Sequence, residues 1–134
     1  MIDRSPRRIA AAVLAAAIAV APLSALAQGT LPDTLGRIKS SGEINIAYSP
    51  DSIPFSATEA GQPAGYSIEL CRGVVAGLGR IVGNPNLKVN WMPGTVAERL
   101  AAVKSGRADL DCANTTASAS RMADVDFSSL VFVD

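Results

Sequence analysis

There is no histidine in this chain, and its two cysteines and scattered carboxylates form no tight cluster in sequence. A transition-metal site, which needs imidazole, thiolate and carboxylate at short spacing, is therefore not expected, and no cofactor is implied. There is no excess of positive charge either. The 12 Lys and Arg balance the 12 Asp and Glu, and beyond Ala27 nine basic residues face eleven acidic ones, a net charge of −2. That leaves no basic patch for nucleic acid. Internal repeats and low-complexity linkers are missing from the 107 residues after Ala27, so they allow one small domain with a modest core.

The one long hydrophobic run lies at the start. Arg4, Arg7 and Arg8 precede the apolar stretch Ile9–Leu23, and Ala25-Leu26-Ala27 fits a small-x-small cleavage rule. This predicts a signal peptide over residues 1–27, cut before Gln28. Pro22 breaks the run, which is short for a bilayer, so no membrane span is expected after cleavage. No cysteine follows the cut, which argues against a lipoprotein, and Ile9-Ala10-Ala11 after Arg7-Arg8 does not suit the twin-arginine route. General secretion is expected. In an oxidising compartment, the even pair Cys71 and Cys112 has two readings: a disulfide, or two buried thiols acting as small hydrophobes.

Beyond Gln28 the chain reads as alternating helix and strand. Asp33 caps a helix to Ser41 in which Leu35 and Ile38 share a face, and Gly42 stops it. Ile44–Tyr48 alternates as a strand, and two turn-rich stretches follow, 49–55 and 59–65. Ser67 is expected to cap a helix that turns Leu70, Cys71, Val74, Val75 and Leu78 inward. Gly77 and Gly79 weaken its end, and Gly83 and Pro85 finish it. Leu87–Met92 is a second strand. Thr95 and Glu98 make a capping box for a helix with Val96, Leu100 and Val103 on one face, and Ala108–Cys112 is a third strand. This order predicts a parallel α/β sheet.

In such sheets, ligands sit beyond the carboxyl ends of the strands. Three segments occupy that position: Ser49–Phe55, Pro93–Arg99 and Ala113–Arg121. The third is uncharged and rich in hydroxyls until Arg121, whose planar fork suits a carboxylate. The alternative is a solvated polar loop. Arg99 lies one turn into its helix, where the dipole disfavours a cation, so either an anion compensates it or it is exposed and paired with a neighbour such as Glu98.

The stretches Ile53-Pro54-Phe55, Gly65–Cys71, Asn86–Val89, Arg99, Lys104–Leu110, Cys112, Thr115-Thr116, Arg121 and Val125–Ser128 keep the order and spacing of a known pattern. The chain from Asp33 onward resembles the N-terminal lobe of bacterial extracellular solute-binding proteins of family 3, with particular likeness to periplasmic glutamate/aspartate-binding proteins. The resemblance implies a periplasmic-binding-protein type II lobe, with residues 28–134 forming part of the first of two lobes that close on one amino acid and dock on an inner-membrane ABC permease. It implies that Arg121 grips the ligand's α-carboxylate and that Asn114 and Thr116 orient its α-carboxylate and α-amino groups. Arg99 and Ser49 become side-chain specificity positions, and no residue is expected to be catalytic.

Some positions depart from the family pattern. Asn114 replaces a frequent serine, and Val96 stands where the acidic-ligand group tends to have serine. Ser49 is neutral where dicarboxylate binders often carry arginine, which leaves a neutral polar or amide ligand open beside glutamate and aspartate. Ser52 offers no aromatic platform, although Phe55 is near in sequence. The family's chains are about twice as long. The expectation is therefore a fragment that binds weakly alone, with an exposed apolar face around Val131 and Phe132. Two alternatives share the fold: a periplasmic cyclohexadienyl dehydratase, for which Asp51 is the acidic candidate, and the ligand-binding ectodomain of a sensory receptor.

Overall fold

Strand β1, Glu43–Tyr48, alternates Ile44, Ile46 and Tyr48 with Asn45 and Ala47, so its two faces meet different neighbours. In the computed structural model, which describes residues 33–132, this strand is the centre of a three-stranded sheet. The expected signal peptide and its cleavage point lie outside the described residues. β1 pairs in parallel with β5, Lys88–Pro93, on one side and β6, Leu110–Cys112, on the other. Ile44, Ile46 and Tyr48 pack beneath α1, Thr34–Ser41, and α2, Tyr66–Val82, in a cluster with Ile38, Ile68, Val82 and Cys112. On the opposite face, Ala47 meets Ala102 of α3, Val96–Lys104, together with Ala108. The fully buried members of that contact are all alanines, with Met92 and Val103 packed at its margin.

The parallel α/β order is as expected, but the connection between β1 and α2 holds more structure than its turn residues suggest. β2, Asp51–Ser52, β3, Ser56–Glu59, and β4, Gln62–Ala64, form a small antiparallel sheet. Strands of two to four residues are too short to show alternation, and Pro63 sits on the outer strand, where a missing N–H does least harm.

Helix caps follow the sequence more closely than helix faces do. Asp33 accepts from the Gly36 N–H at 2.8 Å, and Gly42 ends α1 in the left-handed conformation. The Thr95–Glu98 capping box is complete. Ser67, however, is not a cap. α2 begins after Gly65, and Ser67 is buried within the first turn, its hydroxyl donating to the Ala113 carbonyl at 2.9 Å.

The inward line of α2 is Ile68, Cys71, Val75, Leu78 and Val82, while Leu70 and Val74 are exposed. The buried stripe is centred on Cys71, Val75 and Leu78, so the flanking positions Leu70 and Val74 fall outside it. Leu35 and Val96 are likewise exposed, and α3 buries Arg99 and Ala102 instead. The structure also resolves the cysteine alternatives in favour of a bridge: Cys71 and Cys112 form a disulfide that ties α2 to the end of β6.

Two glycines are required by close approach. At Gly79 a Cβ would lie 2.7 Å from the Asn84 carbonyl oxygen, so the residue that weakens the helix also lets the following turn fold back. Gly65 has φ 115° and sits where a Cβ would meet the Phe55 and Pro54 carbonyl oxygens at 2.6 and 2.8 Å. The same carbonyls accept from the Ser67 and Tyr66 N–H groups, joining the small sheet to the start of α2. Gly65→Ala is expected to lower unfolding free energy by roughly 1–3 kcal/mol through backbone strain, measurable by urea titration.

Candidate functional site

The parallel register fixes where the loops leave the sheet. Tyr48, at the end of β1, lies opposite both Pro93 and Cys112. All three strands therefore end on one line, and the segments starting at Ser49, Gly94 and Ala113 emerge side by side. The Gly94 N–H donates to the Tyr48 carbonyl at 3.1 Å, which continues the β1–β5 pairing into the loop.

Ser49, the first residue beyond β1, is closed off by its own turn. It is buried, its hydroxyl donating to Asp51 at 3.0 Å and lying 2.7 Å from the Ser52 hydroxyl. Its N–H donates to Ser56 Oγ, which donates back to the Ser49 carbonyl. The side chain expected to read a ligand is instead committed to a hydroxyl cluster that closes the β1–β2 turn. Ser52 belongs to the same cluster. Phe55 packs edge-on against Tyr66 and Phe132, with Phe132 itself half exposed.

Arg99 is also placed differently from its expected role. It is 2% exposed, and its covering comes from within the described lobe. Nε donates to Asp111 at 2.8 Å, Nη1 to the Gly94 carbonyl at 2.8 Å and Nη2 to Thr115 Oγ1 at 3.1 Å. Thr115 Oγ1 in turn donates to the second Asp111 oxygen at 2.7 Å. The anion that offsets the unfavourable helix position is thus Asp111, on the α3-facing side of β6. Glu98 is not involved. Its carboxyl accepts from the Thr95 N–H and hydroxyl, which hold it below the usual carboxylate range, the backbone bond contributing most.

The third loop follows the last residue of β6. Asn114 and Thr116 are exposed, flanking the inward-tied Thr115. Ser118 caps the short helix α4, Ala119–Met122, and Arg121 folds back from it to donate through Nη1 to the Thr116 carbonyl at 2.9 Å. Arg121 also stands at a groove between α3 and α4 with Ala97, Leu100, Lys104 and Asp124. Lys104 pairs with Asp124 at 2.6 Å. Among the described residues, Arg121 is the one partly buried cation that forms no ion pair with a carboxylate.

Asn114, Thr116 and Arg121 thus share one segment, Arg99 is bonded to it through Thr115, and Ser49 is buried in the β1–β2 turn. Asp111 and Thr115 were missed from sequence as functional candidates. The available signal was a carboxylate on the helix-facing side of a short buried strand, opposite an arginine on that helix. Among the described residues, no group of His, Cys, Asp and Glu side chains could hold a metal ion, and no helix is long and apolar enough to cross a membrane.

Residues 44–133 match the family described as bacterial extracellular solute-binding proteins, family 3. An L-glutamate/L-aspartate-binding protein of Pseudomonas aeruginosa is 39% identical over 128 residues, covering 93% of this chain and 42% of that protein. A glutamate/aspartate import solute-binding protein of Escherichia coli is 31% identical over 126 residues, covering 93% and 41%. The solved solute receptor for L-cysteine of Neisseria gonorrhoeae superposes with a TM-score of 0.62 at 32% identity, over 71% of this chain and 37% of that one. The fold is that of a periplasmic-binding-protein type II lobe, as expected. The chain spans about two-fifths of the length of these curated relatives. It belongs to the family 3 bacterial extracellular solute-binding proteins.

Proposed function

We propose that residues 28–134 are part of the first lobe of an exported, non-enzymatic receptor that binds an amino acid in the periplasm and delivers it to an inner-membrane ABC permease. Arg121 is the clamp for the α-carboxylate, and Asn114 and Thr116 orient the α-carboxylate and α-amino groups. The observation that carries this reading is Arg121 itself: a partly buried arginine on the segment that follows β6, donating to the Thr116 carbonyl and forming no ion pair with a carboxylate among the described residues. An arginine keeps its proton, so an anionic group is its natural complement. The curated relatives named above are solute-binding proteins, which supports the same reading. The dehydratase alternative is not favoured, because Asp51 is exposed and its carboxylate accepts from Ser49.

Calorimetric titration of the full-length protein with the standard amino acids tests the proposal. Arg121→Ala is expected to weaken binding by about 10- to 100-fold, the range of one hydrogen bond to a charged group. Arg121→Lys should recover part of that loss, because it keeps the charge and loses the fork. Unaltered affinity in Arg121→Ala would refute the assignment.

A further inference from the structure

We infer that Asp111 is a specificity-determining residue of the amino-acid site: it neutralises Arg99 and holds it inside the lobe, so that a bound side chain meets no available guanidinium there. The inference rests on the amino-acid reading above and deepens it. An arginine cannot give up its proton, so its charge is withheld from a neighbouring ligand only by pairing. Both Asp111 oxygens serve this purpose, one on Arg99 Nε at 2.8 Å and the other on Thr115 Oγ1 at 2.7 Å. The pair lies directly beneath the segment that presents Asn114 and Thr116, because Thr115 is the residue between them and also accepts from Arg99. An unpaired positive charge at this depth would be felt by a ligand carboxylate, since the interaction is screened little away from water. With Asp111 in place, preference for a second carboxylate must come from other groups.

The test compares isosteric ligands that differ only in side-chain charge, glutamate with glutamine and aspartate with asparagine, titrated into the full-length protein. Asp111→Asn is expected to shift the acid-to-amide affinity ratio toward the acid by about tenfold, the order of one close charge interaction. An unchanged ratio overturns the inference. A second variant guards against loss of folding. Arg99→Met combined with Asp111→Leu replaces the buried pair with apolar residues, an exchange that buried pairs often tolerate. Its acid-to-amide ratio should match that of the wild type even if both affinities fall. A selective loss of acid binding in the double variant would show that the ligand did sense the Arg99 charge, and would also overturn the inference. Failure of the wild type to bind any standard amino acid counts against the proposed function instead, so the two failures are distinguishable.

Discussion

Asp111→Ala is expected to destabilise the domain by roughly 3–5 kcal/mol, the usual effect of removing one partner from a buried ion pair. It leaves the Arg99 guanidinium 2% exposed and without its anion. The cost is asymmetric between the partners. Arg99→Met leaves a carboxylate that is 11% exposed and still accepts from Thr115, whereas the guanidinium left by Asp111→Ala is 2% exposed and keeps only neutral acceptors, the Gly94 carbonyl and Thr115. Asp111→Ala should therefore be the more damaging single change, and Arg99→Met combined with Asp111→Leu should recover most of the loss. Urea unfolding of the wild type, Asp111→Leu, Arg99→Met and their combination, read as a double-mutant cycle with Asp111→Ala measured alongside, tests this. Equal, small effects from both single variants would mean that the pair is not what joins the end of β5, the start of α3 and the loop after β6.

Reducing the Cys71–Cys112 disulfide is the second large effect. The bridge spans 41 residues, and closing a loop of that length stabilises by about 4 kcal/mol in the chain-entropy model. Its position gives the loss a direction. Cys112 is the last residue of β6, and Ala113, its neighbour, accepts from Ser67 of α2. Releasing the bridge loosens α2 from the strand that carries the Asn114–Arg121 segment. Paired Cys71→Ser and Cys112→Ser changes should lower the urea midpoint and increase amide hydrogen exchange over residues 113–121 more than in β1. Uniform exchange across both regions would show that the bridge acts on global stability alone.

Local signals in the sequence carried the element order. Asp33, Gly42 and the Thr95–Glu98 box each act within one turn of chain, so they read correctly without tertiary information. The three loops beyond the strand ends followed from that order and from parallel pairing. Side-chain orientation did not follow, because it depends on phase and on partners far away in sequence. The apolar residues of α2 cover more than one face, and only packing against β1 decides that Leu70 and Val74 lie outside the buried stripe. Arg99 reads as a surface cation until Asp111 arrives from β6, 12 residues away. Ser49 reads as a ligand position until Ser56 folds back onto its backbone through a hairpin too short to show a pattern. The lack of an ion pair at Arg121 needs no long-range partner, so the structure leaves the sequence-based expectation for that residue as it stood.

The most direct measurement is a crystal structure of the full-length protein with a bound amino acid. The present account predicts the ligand α-carboxylate within hydrogen-bonding distance of the Arg121 guanidinium, with Asn114 and Thr116 beside it and the Arg99–Asp111 pair unbroken beneath. A carboxylate held elsewhere, with Arg121 turned to solvent, would contradict it.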